Sequence, residues 1–343
     1  MTLTNQLSTI LLRKKLAKAW EGKPFFIKKD SEESLAETML LASALQPTDS
    51  QVDGQTWHDL DLYRVFDQLN YTQSSIGAEA LYQKMRLIKF QPEASLQELE
   101  DFFDHHPDLR LKVQVVMNQL GKKNHNMARS IVANPGKQDS KIYLSLYIFL
   151  ACLPVFSLFF LPFFKIQAMM VLVASATFNI IFSSIRNWSN KMRLDRVSYL
   201  VRIFASTEKL SHLAIPKQEA LKQAVQPFKK TKVISGILQS PTGSSDMEII
   251  LIYLNFLFLI PQIAQVYIYQ QVRIHQKEAQ EAINLLGELE VAISLLRHKR
   301  DVDLVCHPSF KKEGGIKGKG IYHPLLTDPV ANDVRFEKNM VIS

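Results

Sequence analysis

Few residues in this sequence combine the types and spacing that chemistry needs. His105 and His106 directly follow Asp104, which puts two imidazoles and a carboxylate within three positions, the raw material of a zinc site. Adjacent side chains on a helix point about 100° apart, so one ion cannot readily take both rings, and no metal site is expected. The run Gly314–Gly320 (Gly-Gly-Ile-Lys-Gly-Lys-Gly) has the composition of a phosphate loop. It lacks the Gly-Lys-Ser/Thr ending that sets a lysine on the phosphates and a hydroxyl on magnesium, so a solvated hairpin loop is expected. Glu288 and Glu290 stand two apart, face different ways on a helix, and form no acid–base pair. Gly-x-Ser-x-Gly, His-Glu-x-x-His and a Cys–His arrangement within plausible reach are all missing. Residue chemistry by itself defines no catalytic site.

Composition narrows the class. The 343 residues suffice for two ordinary domains, or one domain plus a membrane segment, and 47% hydrophobic residues is too many for a disordered chain. Twelve glycines and 14 prolines without a repeat exclude fibrous and low-complexity architectures. Cys152 and Cys306 cannot make a disulfide framework, which points to a reducing compartment. A net charge of +8 suits nucleic acid or an anionic membrane surface.

The elements that would position any site begin with an apolar block. Ile142–Ile185 contains one charged residue, Lys165. Ile142–Phe164 and Ile166–Ile185 each reach the roughly 20 residues that a crossing needs, with a turn expected at Pro162–Lys165. Tyr143, Tyr147 and Trp188 stand near the outer ends, as interfacial aromatics do. Basic residues flank both sides: Lys122, Lys123, Arg129, Lys137 and Lys141 before, and Arg186, Lys191, Arg193, Arg196 and Arg202 after. Two basic flanks around two spans imply a hairpin with both ends in the cytoplasm, a multi-pass cell-membrane protein. The spans lack the acids, histidines or arginines of an ion relay, so the hairpin reads as an anchor. A third uncharged run, Ile249–Tyr269, carries Asn255, Pro261, Gln262 and Gln265 and follows Asp246 and Glu248. It is expected to be a buried helix of the soluble part.

Elsewhere the period is helical. The first 20 residues form a basic amphipathic helix with Leu3, Leu7, Ile10 and Leu11 on its apolar side. Ser34 with Glu37 and Ser95 with Glu98 read as capping boxes. Leu62, Val65, Phe66 and Leu69 share one face, as do Ile76, Ala80, Leu81 and Met85. Pro107 opens a helix that Gly121 ends. Arg186–Glu219 and Leu221–Leu238 read as further helices. Ala279, Ala282, Ile283, Leu286, Leu289, Ile293 and Leu296 mark a long one. Strands are expected only at Val302–Cys306 and in the last 25 residues, so the chain is mainly α.

Three segments then share a likeness. Leu60–Arg86, LDLYRVFDQLNYTQSSIGAEALYQKMR, resembles the opening of the core and lever domain of the MutS-related mismatch-repair ATPases. Thr72, Ser75, Gly77, Leu81, Tyr82 and Arg86 occupy the motif positions, with Met85 where leucine is usual. Leu286–Leu296, LGELEVAISLL, resembles the helix that returns from the lever toward the ATPase. His323-Pro324-Leu325-Leu326 and Asp328–Asp333 resemble the His-Pro and Pro-Asn-Asp segments leading into that ATPase. Tyr322 supplies the preceding aromatic, and Ala331 replaces a usual proline. The likeness spans Asp59 to Ser343 and is interrupted by the hairpin, as in divergent MutS-related proteins of some bacteria that carry transmembrane segments.

The resemblance implies an architecture of five parts. These are an N-terminal helical segment and linker (1–55), a first part of the MutS-like core (56–140), the transmembrane hairpin (141–186), the rest of the helical core and lever (187–300), and the start of a truncated ABC-type ATPase domain with short β strands (301–343). Thr72, Ser75, Gly77, Arg86, His323 and Pro324 would be structural motif residues. Pro329, Val330, Ala331 and Asn332 would line part of an adenine pocket. In the family a strand like Asn339–Ser343 runs into the Walker A loop, which this sequence does not contain. ATP and magnesium would therefore belong to a longer form, and no ATP hydrolysis is expected of this chain alone. Phe-x-Glu, the mismatch wedge, does not occur. The implied function is a membrane-anchored lever and core module of a DNA-associated, ATP-dependent machine, touching DNA through phosphates and dimerising through its ATPase region. The alternative is a membrane-bound structural or adaptor protein that kept the lever fold and binds no DNA.

Overall fold

A computed structural model describes residues 3–22, 29–45, 50–89, 93–135, 141–189, 191–231, 246–302, 305–306, 308–309 and 315–336. The long helix Gln276–Asp301 organises the helical part. Apolar residues at its helical period are supplemented by Leu285, Val291 and Ala292, so it is buried nearly all round. His298, Lys299 and Arg300 occupy its last turn, where cations offset the helix dipole. One side packs a large core from helices Ala94–His105, Pro107–Leu120, Ala128–Ala133, Lys191–Ser211, Gln218–Val225 and Ile260–Ile274. Val291 joins a smaller core of helices Glu32–Leu45, Gly54–Asp59, Leu62–Leu69 and Ser75–Arg86 around Phe66, Leu81 and Tyr82.

Most sequence expectations locate real elements, but several starts differ. The cap of helix Glu32–Leu45 is Ser31, whose hydroxyl accepts from the Ser34 amide at 3.4 Å, and Ser34 instead accepts from the His125 amide at 2.8 Å. Ser95 lies inside the first turn of helix Ala94–His105. Pro107 and Gly121 bound their helix as expected, with Gly121 at φ +73°, a left-handed value that glycine adopts without cost. The expected helix Arg186–Glu219 ends at Ser211, and Gln218–Val225 follows separately after Lys217 in a left-handed conformation. The expected continuation toward Leu238 lies outside the described residues beyond Thr231. In helix Leu3–Glu21 the expected apolar face is the wrong one. Leu7, Ile10 and Leu11 are exposed, while Leu16 and Trp20 are buried, because stacking of Trp20 on Arg110 decides which side docks.

The apolar block forms one helical element, Lys141–Ser189, reversed at Lys165 (φ 28°, ψ −97°). Its arms lie side by side: Asn179 Nδ2 donates to Leu150 O at 2.8 Å, the Tyr147 and Phe182 rings are 6.1 Å apart, and Arg186 donates to Tyr147 Oη at 3.0 Å. Ile142–Arg186 is long and apolar enough to cross a membrane. Its outer surface is apolar, with Phe149, Phe156, Phe159, Phe163 and Met170 exposed. The side chain of Trp188 lies outside the described residues.

The run Ile249–Tyr269 is not one helix. Helices Asp246–Leu257 and Ile260–Ile274 meet at 63°, with Leu259 in a left-handed conformation and Pro261 in the first turn of the second. The second half is buried in the core through Ala264, Val266 and Ile268, as expected of the whole. The first half instead keeps Ile250, Leu251 and Tyr253 exposed beside the hairpin.

Among the described residues there are two small antiparallel pairs: Ser50–Gln51 with Leu87–Ile88, and Ile316–Ile321 with Asn332–Phe336. The expected loop at Gly314–Gly320 is thus mostly strand. Gly318 permits it, since a Cβ there would lie 2.1 Å from Ile321 Cδ1 at a break in register. Val302 is extended but unpaired, and Asn339–Ser343 lies outside the described residues.

Candidate functional site

The polar centre of the molecule is the N-terminus of helix Ser75–Arg86. Ser74 caps it, its hydroxyl accepting from the Gly77 amide at 3.2 Å. The first amides of a helix lack internal partners and carry partial positive charge, so an anion is stabilised there. The carboxyl group in that position belongs to Glu290 of the long helix. Its carboxylate accepts from the Gln73 amide at 2.7 Å, the Ser74 amide at 3.2 Å and the Ser74 hydroxyl. Glu290 is 4% exposed, and burial raises its carboxyl pKa while these donors and Lys122 oppose the rise. Gly77 makes the approach possible: a Cβ there would lie 2.2 Å from Glu290 Oε2. On the long helix, one turn before Glu290, Gly287 does the same against Ala80: a Cβ at Gly287 would lie 2.6 Å from the Ala80 Cβ.

Two further buried ion pairs extend this centre. Asp30 meets Lys122 at 3.1 Å and accepts from Ser75 Oγ at 2.5 Å, and Lys122 also donates to Thr72 Oγ1 at 2.8 Å. Glu79 meets Arg129 at 3.2 Å and accepts from Asn126 at 2.6 Å, while Arg129 reaches Asn284 at 3.0 Å. Burial pushes the Glu79 carboxyl up and the Arg129 guanidinium down, against their mutual attraction. These groups are engaged with one another and mostly buried, so the centre clamps helices together. Its members also correct one sequence inference: Lys122 and Arg129 face this interior and not a lipid headgroup.

An open groove of about 400 Å³ flanks the clamp, lined among others by Gln83, Lys84, Lys89, Glu93, Arg129 and Glu288. Glu93 is shared between Lys84 and Lys89, and Arg129 is held by Glu79, so each basic group of the groove already has an acidic partner.

Of the motif residues, Thr72, Ser75 and Gly77 come together in the clamp. Arg86 sits at the far end of the same helix, donating to Val52 O at 3.0 Å and to Tyr82 Oη at 3.1 Å and lying over the Trp57 ring. His323 and Pro324 are in the connection between the C-terminal strands, where His323 Nδ1 accepts from the Leu325 amide at 3.3 Å. Pro329, Val330, Ala331 and Asn332 are all exposed in that same connection and at the start of its second strand. His105 and His106 each turn Nδ1 back to a carbonyl one turn earlier, Asp104 pairs with Arg300 at 2.6 Å, and no metal-ligating cluster occurs among the described residues. Sequence reasoning weighed Glu290 only as an acid–base partner of Glu288 and missed its contact with the Ser74 cap. The signal was an acid within a run whose neighbours Leu289, Val291, Ala292 and Ile293 are all core. No protein-family profile, no curated protein and no solved structure matches the chain.

Proposed function

We propose that this chain is a membrane-anchored core and lever module related to the MutS ATPases, acting mechanically and not as an enzyme in its own right. One observation carries the reading. The Thr-x-x-Ser-x-Gly segment and the Leu286–Leu296 helix, more than 200 residues apart and each resembling a segment of that family, meet through two glycines and a buried carboxylate. A lever needs such a joint, because a rigid contact between its first and last helices lets a movement at one end be felt at the other. The apolar hairpin supplies the anchor: two arms of about 30–35 Å match the hydrocarbon thickness, with Lys165 at the far interface and both flanks in the cytoplasm. ATP and magnesium enter through an ATPase domain in a longer form, which would also bring two copies together. DNA would be held through phosphates by lysine and arginine, without base reading.

Salt-dependent DNA binding by the detergent-solubilised chain tests this. With even three phosphate contacts, affinity falls roughly forty-fold between about 50 and 200 mM salt. No binding, or binding indifferent to salt, overturns the DNA-associated reading and leaves a membrane-bound adaptor.

A further inference from the structure

Resting on the membrane-anchor reading above, we propose that the chain enters the bilayer a second time, as a re-entrant half-helix, Asp246–Leu257, locked to the hairpin by Asn179. This helix is uncharged from Ile249 onward, and Ile249, Ile250, Leu251, Tyr253 and Leu254 are exposed on it. Its apolar surface continues that of the hairpin, against which it packs. Twelve residues rise about 18 Å, well short of the roughly 30 Å of hydrocarbon, so the helix cannot cross. After the 63° bend, the chain returns through Ile260–Ile274 to the core, where Ile268 and Val272 are buried.

The bend is built for surroundings without water. The last carbonyls of a helix have no partner within it, and in hydrocarbon each one left bare costs several kcal/mol. Asn179, fully buried, donates to Leu257 O at 2.9 Å as well as to Leu150 O at 2.8 Å. Gln262, just past the bend, meets Ser183 at 3.1 Å. Asn179 lies seven residues before Arg186, which places the end of the half-helix about 10 Å along the arm from its basic end.

Single spin labels on the full chain in phosphatidylcholine–phosphatidylglycerol liposomes test the idea, in a background carrying Cys152→Ala and Cys306→Ser. Labels go on Ile250→Cys and Leu254→Cys, with Phe159→Cys on the hairpin and Ile274→Cys on the aqueous side as references. The oxygen-to-nickel accessibility ratio at positions 250 and 254 is expected to match position 159 and to exceed position 274 several-fold. Asn179→Leu is expected to lower the ratio at 254 toward that at 274 while leaving 159 unchanged. Aqueous values at 250 and 254 with an apolar value at 159 overturn the re-entrant helix and spare the anchor. Aqueous values at 159 overturn both. Protection of 250 and 254 from both oxygen and nickel means that protein covers this face, and overturns the lipid assignment.

Discussion

At the scale of residues, the clamp is a set of close approaches that tolerate no added atom. Gly287→Ala places a methyl against Ala80, and overpacking of this kind costs about 1–3 kcal/mol. The cost is expected to be largely recovered in the double variant with Ala80→Gly, as a coupling energy read from denaturant midpoints. Glu290 makes a prediction about pH. Its folded-state pKa is raised above the ordinary 4.5, chiefly by burial, so the folded protein holds this proton more tightly than the unfolded chain does. That contribution is fully present below about 4.5 and is lost as pH rises through the raised value. The destabilisation caused by Glu290→Gln is therefore expected to be largest in acid and to shrink toward neutral pH. Melting temperatures of the variant and its parent across that range give the answer, and a deficit that grows with pH would contradict the assignment. Glu79 shares the direction, but it is present in both proteins and cancels from the comparison.

At the scale of elements, docking is decided by a few large side chains. Helix Leu3–Glu21 attaches through Leu16 and through Trp20, which stacks 3.7 Å from Arg110. Burial beside this ring pulls the Arg110 guanidinium down to about 10. Trp20→Ala is expected to cost about 3 kcal/mol and to speed amide exchange throughout Leu3–Glu21 while sparing Gln276–Asp301. Uniform acceleration in both helices would show that the first helix belongs to the main cooperative unit. The hairpin shows the same rule in reverse. Its fold was legible because an uncharged run of this length interrupted by Pro-Phe-Phe-Lys has few alternatives, and the reversal does fall at Lys165. The bend at Leu259 was not legible, because Pro261 is tolerated in a first helical turn and proline alone gives no bend angle.

At the scale of the whole molecule, the proposed anchor makes a prediction about topology. If it places Lys165 at the far interface and both flanks inside, Lys165→Cys in a Cys152→Ala background is expected to react with a membrane-impermeant maleimide in intact cells. Cys306, which is exposed, is then expected to react only after lysis. The reverse pattern would invert the topology. Two of the three segments that carry the proposed likeness to a MutS lever meet at the centre of the fold. The exposed C-terminal residues Pro329–Asn332 contribute nothing to that joint.

Local patterning alone determined most of the helical stretches and where the hairpin turns, since hydrophobic period and chain punctuation are short-range properties. Tertiary structure alone decided that Glu290 sits on the amides of Gln73 and Ser74, that Lys122 and Arg129 are spent on Asp30 and Glu79, and that Asn179 caps a helix 78 residues away. Those contacts join distant segments, and a buried charge or amide looks the same in sequence as a solvated one until its partner is brought to it.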